Sequence, residues 1–161
     1  MRTSYVINLT EKATVPVLVL PDKVLEQSMD IIFWALSCND PHKMKDAWIA
    51  DKVFSKLFLQ EFDNDFKYHL DSYKYSSRYQ PEQKILHRNI SLSWAHQFYE
   101  RLNKFAYLSK DLVGIFDYIS LPFIRQFRIA DPIWFDSCVL PNLQKRLGEF
   151  ERSDLFQRVM Q

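Results

Sequence analysis

Between Met44 and Tyr73, large apolar residues recur at about one helical turn: Trp48, Val53, Leu57, Phe58, Phe62, Phe66 and Leu70. That spacing puts them on one face of an amphipathic helix, whereas a strand would need two-residue alternation. The pattern predicts a helix over 44–73. A polar stretch, Ser76-Ser77-Arg78-Tyr79-Gln80, then leads to Pro81, a favoured first-turn residue, and to a second helix through Ile85, Leu92, Trp94, Phe98, Leu102 and Phe105. A third starts near Gly114 and carries Ile115, Ile119, Phe123 and Phe127. Shorter helices are expected over Pro141 to Phe150 and Asp154 to Met160. Only 2 Gly and 7 Pro occur in 161 residues, which argues against an all-β architecture built on tight turns. With 47% apolar and 16% aromatic residues the chain can bury a large core, and its composition is that of a folded protein.

The first 40 residues read differently. Residues 14 to 20 are almost continuously aliphatic or β-branched, as a buried strand would be, and Pro21-Asp22-Lys23 forms a turn before a short strand at Val24-Leu25. From Ser28, Ile31, Ile32, Trp34, Ala35 and Leu36 recur at helical spacing until Asn39-Asp40-Pro41 stops them. The expected class is therefore α+β, mostly α: a β-β-α segment over 1–39 and an all-helical domain over 43–161. No internal repeat or low-complexity tract interrupts them.

Several function classes lose support. A net charge of +1 gives no reason to expect nucleic acid or an anionic membrane as partner. Cys38 and Cys138 lie in no disulfide or metal spacing, so a reducing cytoplasm is the expected compartment. The start lacks the apolar core of a signal peptide, and no run of about 18 apolar residues exists for a membrane span. His42, His69, His87 and His96 include no i, i+4 pair and no carboxylate companions at ligand spacing. They read as surface or helix-end residues, and no metal site is expected.

Three short motifs carry the chemistry. Proline in the Val15-Pro16 step cannot donate to a strand ladder and marks an edge or a turn. Gln27-Ser28 stands at a helix start, where free N–H groups and a positive partial charge accept a carboxylate and a hydroxyl adds a donor; Ser28 also suits a plain N-cap. Gly114-Ile115-Phe116-Asp117 opens a helix with glycine at the cap and an acid three residues on, able to reach back. Taken in order, these segments resemble the cytosolic glutathione S-transferase family. Phe66-Lys67, Leu70-Asp71-Ser72-Tyr73-Lys74-Tyr75, Arg78-Tyr79, Ile119 to Phe127 and Asp131-Pro132-Ile133-Trp134-Phe135 are similar to bacterial glutathione-transferase-like proteins, and the likeness runs from about Thr10 to Met160.

The resemblance implies a partial thioredoxin-like domain followed by the family's all-helical C-terminal domain. By it, Pro16 would be cis, Val15 would pair through its backbone with the cysteinyl part of glutathione, Gln27 and Ser28 would hold the γ-glutamyl end, and Lys12 would contact the peptide. Glutathione would be substrate rather than cofactor, with conjugation or thiol exchange on a small electrophile as the reaction and a homodimer as the assembly. The family places a strand, a helix and a second strand before the position of Pro16, so the chain reads as N-terminally truncated. Its catalytic residue is unknown, because the family's Tyr, Ser or Cys lies in that earlier segment. Ser4 and Tyr5 fall in what resembles the tail of the second helix. The alternative reading is a non-catalytic binding or scaffold module that uses the helical domain for protein contacts.

Overall fold

The computed structural model describes residues 16–76 and 81–160, apart from the side chain of residue 63. The chain divides into two compact units, Met1–Lys43 and Met44–Gln161. In the first, strands β1 (Leu18–Val19) and β2 (Val24–Leu25) pair antiparallel, with Leu18 opposite Leu25 and Val19 opposite Val24. The Leu20 N–H donates to Lys23 O across the turn. The strand expected over 14–20 is thus two paired residues long, its first two positions lying outside the described residues. Helix α1 (Ser28–Cys38) follows, with Gln27 extended at its N-cap and the Asn39 N–H closing its end on Ala35 O. No residue of α1 is fully buried.

The regular structure of the second unit, among its described residues, is helical. The single helix expected over 44–73 is in fact four pieces: α2 (Met44–Ala50), α3 (Lys52–Leu57), a π-helical segment (Phe58–Phe66) and α4 (Lys67–Lys74). Asp51 makes the first break. Its backbone leaves the helical region, and its side chain accepts the Phe54 N–H to cap α3. The π segment answers the spacing of the aromatic stripe. Phe58, Phe62, Phe66 and Leu70 repeat every fourth residue, which overshoots a full α-helical turn by about 40° per step. A π-helix, at about 4.4 residues per turn, undershoots by about 30°. Joining the two lets these errors offset, and all four side chains are 2% exposed or less. Phe62 stacks on Phe58 with centroids 4.2 Å apart and meets Trp94, Phe98 and Phe123 at 5.4–6.1 Å.

A 3₁₀ turn (Pro81–Gln83) leads into α5 (Lys84–Leu102), whose buried face is His87, Ser91, Trp94, Ala95, Phe98 and Leu102. Ile85, expected on that face, is exposed instead. Helices α6 (Ile115–Ala130), α7 (Pro132–Ser137), α8 (Pro141–Glu151) and α9 (Asp154–Val159) complete the unit. Helix α7 was not expected from periodicity. Asp131 caps it by accepting the Trp134 N–H, and Pro132 supplies its first turn. No helix among the described residues is long and apolar enough to cross a membrane.

The start of α6 is held by a fully buried carboxylate. Asp117 accepts N–H bonds from Leu108 (3.1 Å), Ser109 (3.1 Å) and Gly114 (3.2 Å), closing the 108–114 loop onto the helix. Arg146 Nε stands 3.7 Å from its Oδ1. Gly114 is demanded by proximity. A Cβ there would sit 2.8 Å from Ser109 Oγ and 2.9 Å from Ser109 Cβ, so a hydroxyl cap at this position would collide with Ser109.

Two outcomes are expected in chemical denaturation. Phe62→Ala should lose about 3–5 kcal/mol by emptying the centre of the aromatic cluster, while Val53→Ala, at an 84% exposed site, should stay within about 0.5 kcal/mol. Asp117→Ala should lose about 3–5 kcal/mol, because it strips three buried amides of their acceptor and the Arg146 guanidinium of a nearby counter-charge.

Candidate functional site

Of the residues singled out for glutathione, Lys12 and Val15 lie outside the described residues, as do Ser4 and Tyr5. Pro16 is exposed and precedes β1. Gln27 and Ser28 are both exposed at the start of α1. Gln27 occupies the N-cap, so Ser28 is the first helical residue rather than the cap, and no side chain caps the helix. The amides of the first turn therefore have no intrahelical acceptor and point along the positive end of the helix. Asp30 in that turn adds a carboxylate of the sign that favours the helix start. Gly114 and Asp117 stand together as expected, with Asp117 reaching back to the Gly114 N–H and, beyond that expectation, to Leu108 and Ser109.

One constellation was not read from spacing. His69 on α4 and His87 on α5 meet with Nδ1 atoms 2.7 Å apart. On the far side of His69, Nε2 lies 3.4 Å from Asp65 Oδ1. The second oxygen of Asp65 accepts the Trp94 indole N–H at 2.8 Å. Tyr68 presents its ring edge-on to both imidazoles, with centroids at 5.1 and 5.8 Å. His87 is 5% exposed, which corrects the expectation of surface or helix-end histidines, whereas His42 and His96 are exposed. Burial first, then the neighbouring His69, push the His87 imidazole below the usual histidine range. The two histidines are eighteen residues apart and on different helices. A search for i, i+4 pairs is blind to them, and only the packing of α4 on α5 brings them together.

A third polar group joins three segments. Asp51 pairs with Arg101 Nη2 at 2.9 Å and with Lys110 Nζ at 3.2 Å, while Arg101 lies over the Phe54 ring at 3.7 Å and donates to Leu108 O. Burial pushes the Asp51 carboxyl up, but the bonds from Arg101, Phe54 N–H and Lys110 outweigh it and hold the group below the usual carboxylate range. Cys38 is exposed at the end of α1, and burial pushes the Cys138 thiol up against the pull of Arg88. The Tyr73 hydroxyl is buried and raised by burial and by the charge of Asp131. Arg88 pulls the other way without closing a hydrogen bond on it.

Surface depressions among the described residues of the helical unit include a cleft and a groove. A polar cleft of about 290 Å³ is lined by Leu102, Phe105, Tyr107, Asn142, Lys145 and Arg146. An apolar groove of about 450 Å³ runs along Trp48, Ile49, Lys52, Ser55, Lys56 and Leu59. Ile49 and Leu59 are 63% and 50% exposed. Among the described residues no group of three or more His, Cys, Asp or Glu could hold a metal ion.

No family model, curated protein or solved structure matches this chain. The candidate groups are therefore judged on local geometry within each unit by itself: in the first the open start of α1, in the second the buried Asp117 cap and the charged cluster around Asp51.

The Asp51 cluster has a definite pH signature. Because the native carboxyl is held low, its stabilisation is present above the unfolded value of about 3.9 and is lost as pH falls through the folded one. Wild type should be more stable than Asp51→Asn at pH 7, and the difference should close below about pH 4 in urea titrations across pH.

Proposed function

We propose that the chain is a glutathione-transferase-like protein that grips glutathione at the start of α1. The observation that carries this reading is the exposed, uncapped N-terminus of α1 immediately after the β1–β2 hairpin, with Gln27 and Ser28 at its first positions. Open amides, the helix dipole and a serine hydroxyl suit the α-carboxylate of a γ-glutamyl group. The buried Asp117 element supports the same family, since it opens a core helix with an acid that reaches back to the cap. The reaction class is attack by the glutathione thiolate on a small electrophile, or thiol exchange. In this reading Gln27 and Ser28 bind and orient the peptide.

A second reading has an observation of its own. The exposed apolar residues Ile49, Val53 and Leu59 along α2, α3 and the π segment favour a non-catalytic module that binds another protein through the helical unit.

Titration calorimetry with glutathione separates the two. Saturable binding by the wild-type chain, abolished in a Gln27→Ala/Ser28→Ala variant whose circular dichroism is unchanged, is the expected result. Absence of any binding by the folded wild-type chain would overturn the glutathione reading and leave the scaffold reading standing.

A further inference from the structure

We propose that the Asp65–His69–His87 chain is an acid-operated latch between α4 and α5, closed while the two imidazoles share one bridging proton and forced open when both are charged. The inference is independent of the glutathione reading.

The geometry requires a single bridging proton. At 2.7 Å, one Nδ1 must donate and the other accept. Asp65, on the opposite edge of His69, favours a proton on Nε2 of that ring, so in the neutral pair His69 accepts from His87. A first added proton is accommodated. It makes His69 an imidazolium facing the Asp65 carboxylate and turns its Nδ1–H towards His87, which shifts its own proton to Nε2. A second added proton cannot be accommodated, because two N–H groups would then point at each other within the same 2.7 Å.

The surroundings do not compensate. Asp65, on the π segment, is the only acid placed against the pair among the described residues, and it already accepts from Trp94 of α5. Six cations on and around the two helices are engaged elsewhere. On α4, Lys67 lies over Phe123, while Lys74 bonds Gln126 and pairs with Asp71. On α5, Lys84 lies over Tyr73 and Arg88 over Trp134. On α6, which also packs on α4, Arg125 pairs with Glu151 and Arg128 with Asp136. Tyr68 covers the imidazoles with its ring edge and is itself 60% exposed, so protons have a short route in. The pair is not a metal site, since the carboxylate and the second imidazole address opposite nitrogens of His69 and the three groups do not converge.

The sign of the effect follows. Above the unfolded histidine value of about 6.5 the latch contributes fully. As pH falls through that value the unfolded chain takes up a proton that native His87 resists, and stability declines until His87 also titrates in the native state.

The test compares wild type with His87→Asn, whose amide keeps a donor and an acceptor near the Nδ1 position without titrating. Between about pH 7.5 and 5 the melting temperature of wild type should fall further than that of the variant. Parallel falls would overturn the proposal. Should the variant not fold, imidazole NMR of the wild-type chain decides. Two separated titration steps for the pair, the lower coinciding with faster amide exchange in α4 and α5, support the latch. A single step, or a lower step with no change in exchange, overturns it.

Discussion

A single buried carboxylate holds the helical unit's least regular segment in place. Asp117 is fully inaccessible and accepts three main-chain amides from a loop that has few other means of satisfying them. Arg101 completes the arrangement from α5 by donating to Leu108 O, and through Asp51 the same guanidinium reaches the start of α3. The end of α5, the 108–114 loop and the starts of α3 and α6 are thus joined by two acids and one arginine. Each acid caps a helix and also orders a neighbour, so loss of either would be felt in more than one element.

Around that polar frame the core is aromatic. A stripe repeating every four residues is incommensurate with an α-helix, and the chain resolves the mismatch by widening into a π segment instead of letting a phenylalanine rotate to the surface. The same segment delivers Asp65 to the Trp94 indole and to His69. The backbone irregularity and the histidine constellation therefore have a common origin in the spacing of Phe58, Phe62 and Phe66.

Elements with chemical punctuation were legible from the residues alone. Gly114 with Asp117, Pro141 and Asp154 mark helix starts that are observed, and Asn39-Asp40-Pro41 marks the end of α1. Asp131-Pro132 carried the same kind of signal, although α7 is too short to show a period. What could not be read depends on three-dimensional packing. The break at Asp51 hides within an unbroken apolar pattern, the π geometry leaves no residue signature apart from the fourfold spacing, and the contact of His69 with His87 exists only because α4 lies on α5. The motif proposed to bind glutathione divides the same way. Gln27 and Ser28 stand exposed at a helix start, while Lys12 and Val15 fall outside the described residues.

The functional reading now turns on whether an acidic peptide chooses the open start of α1 or the polar cleft lined by Lys145, Arg146 and Glu149. Amide chemical-shift mapping with glutathione asks this directly. The account predicts saturable shifts concentrated at Ser28, Met29 and Asp30. Shifts clustered at Tyr107, Lys145 and Arg146, or none at all, would contradict it.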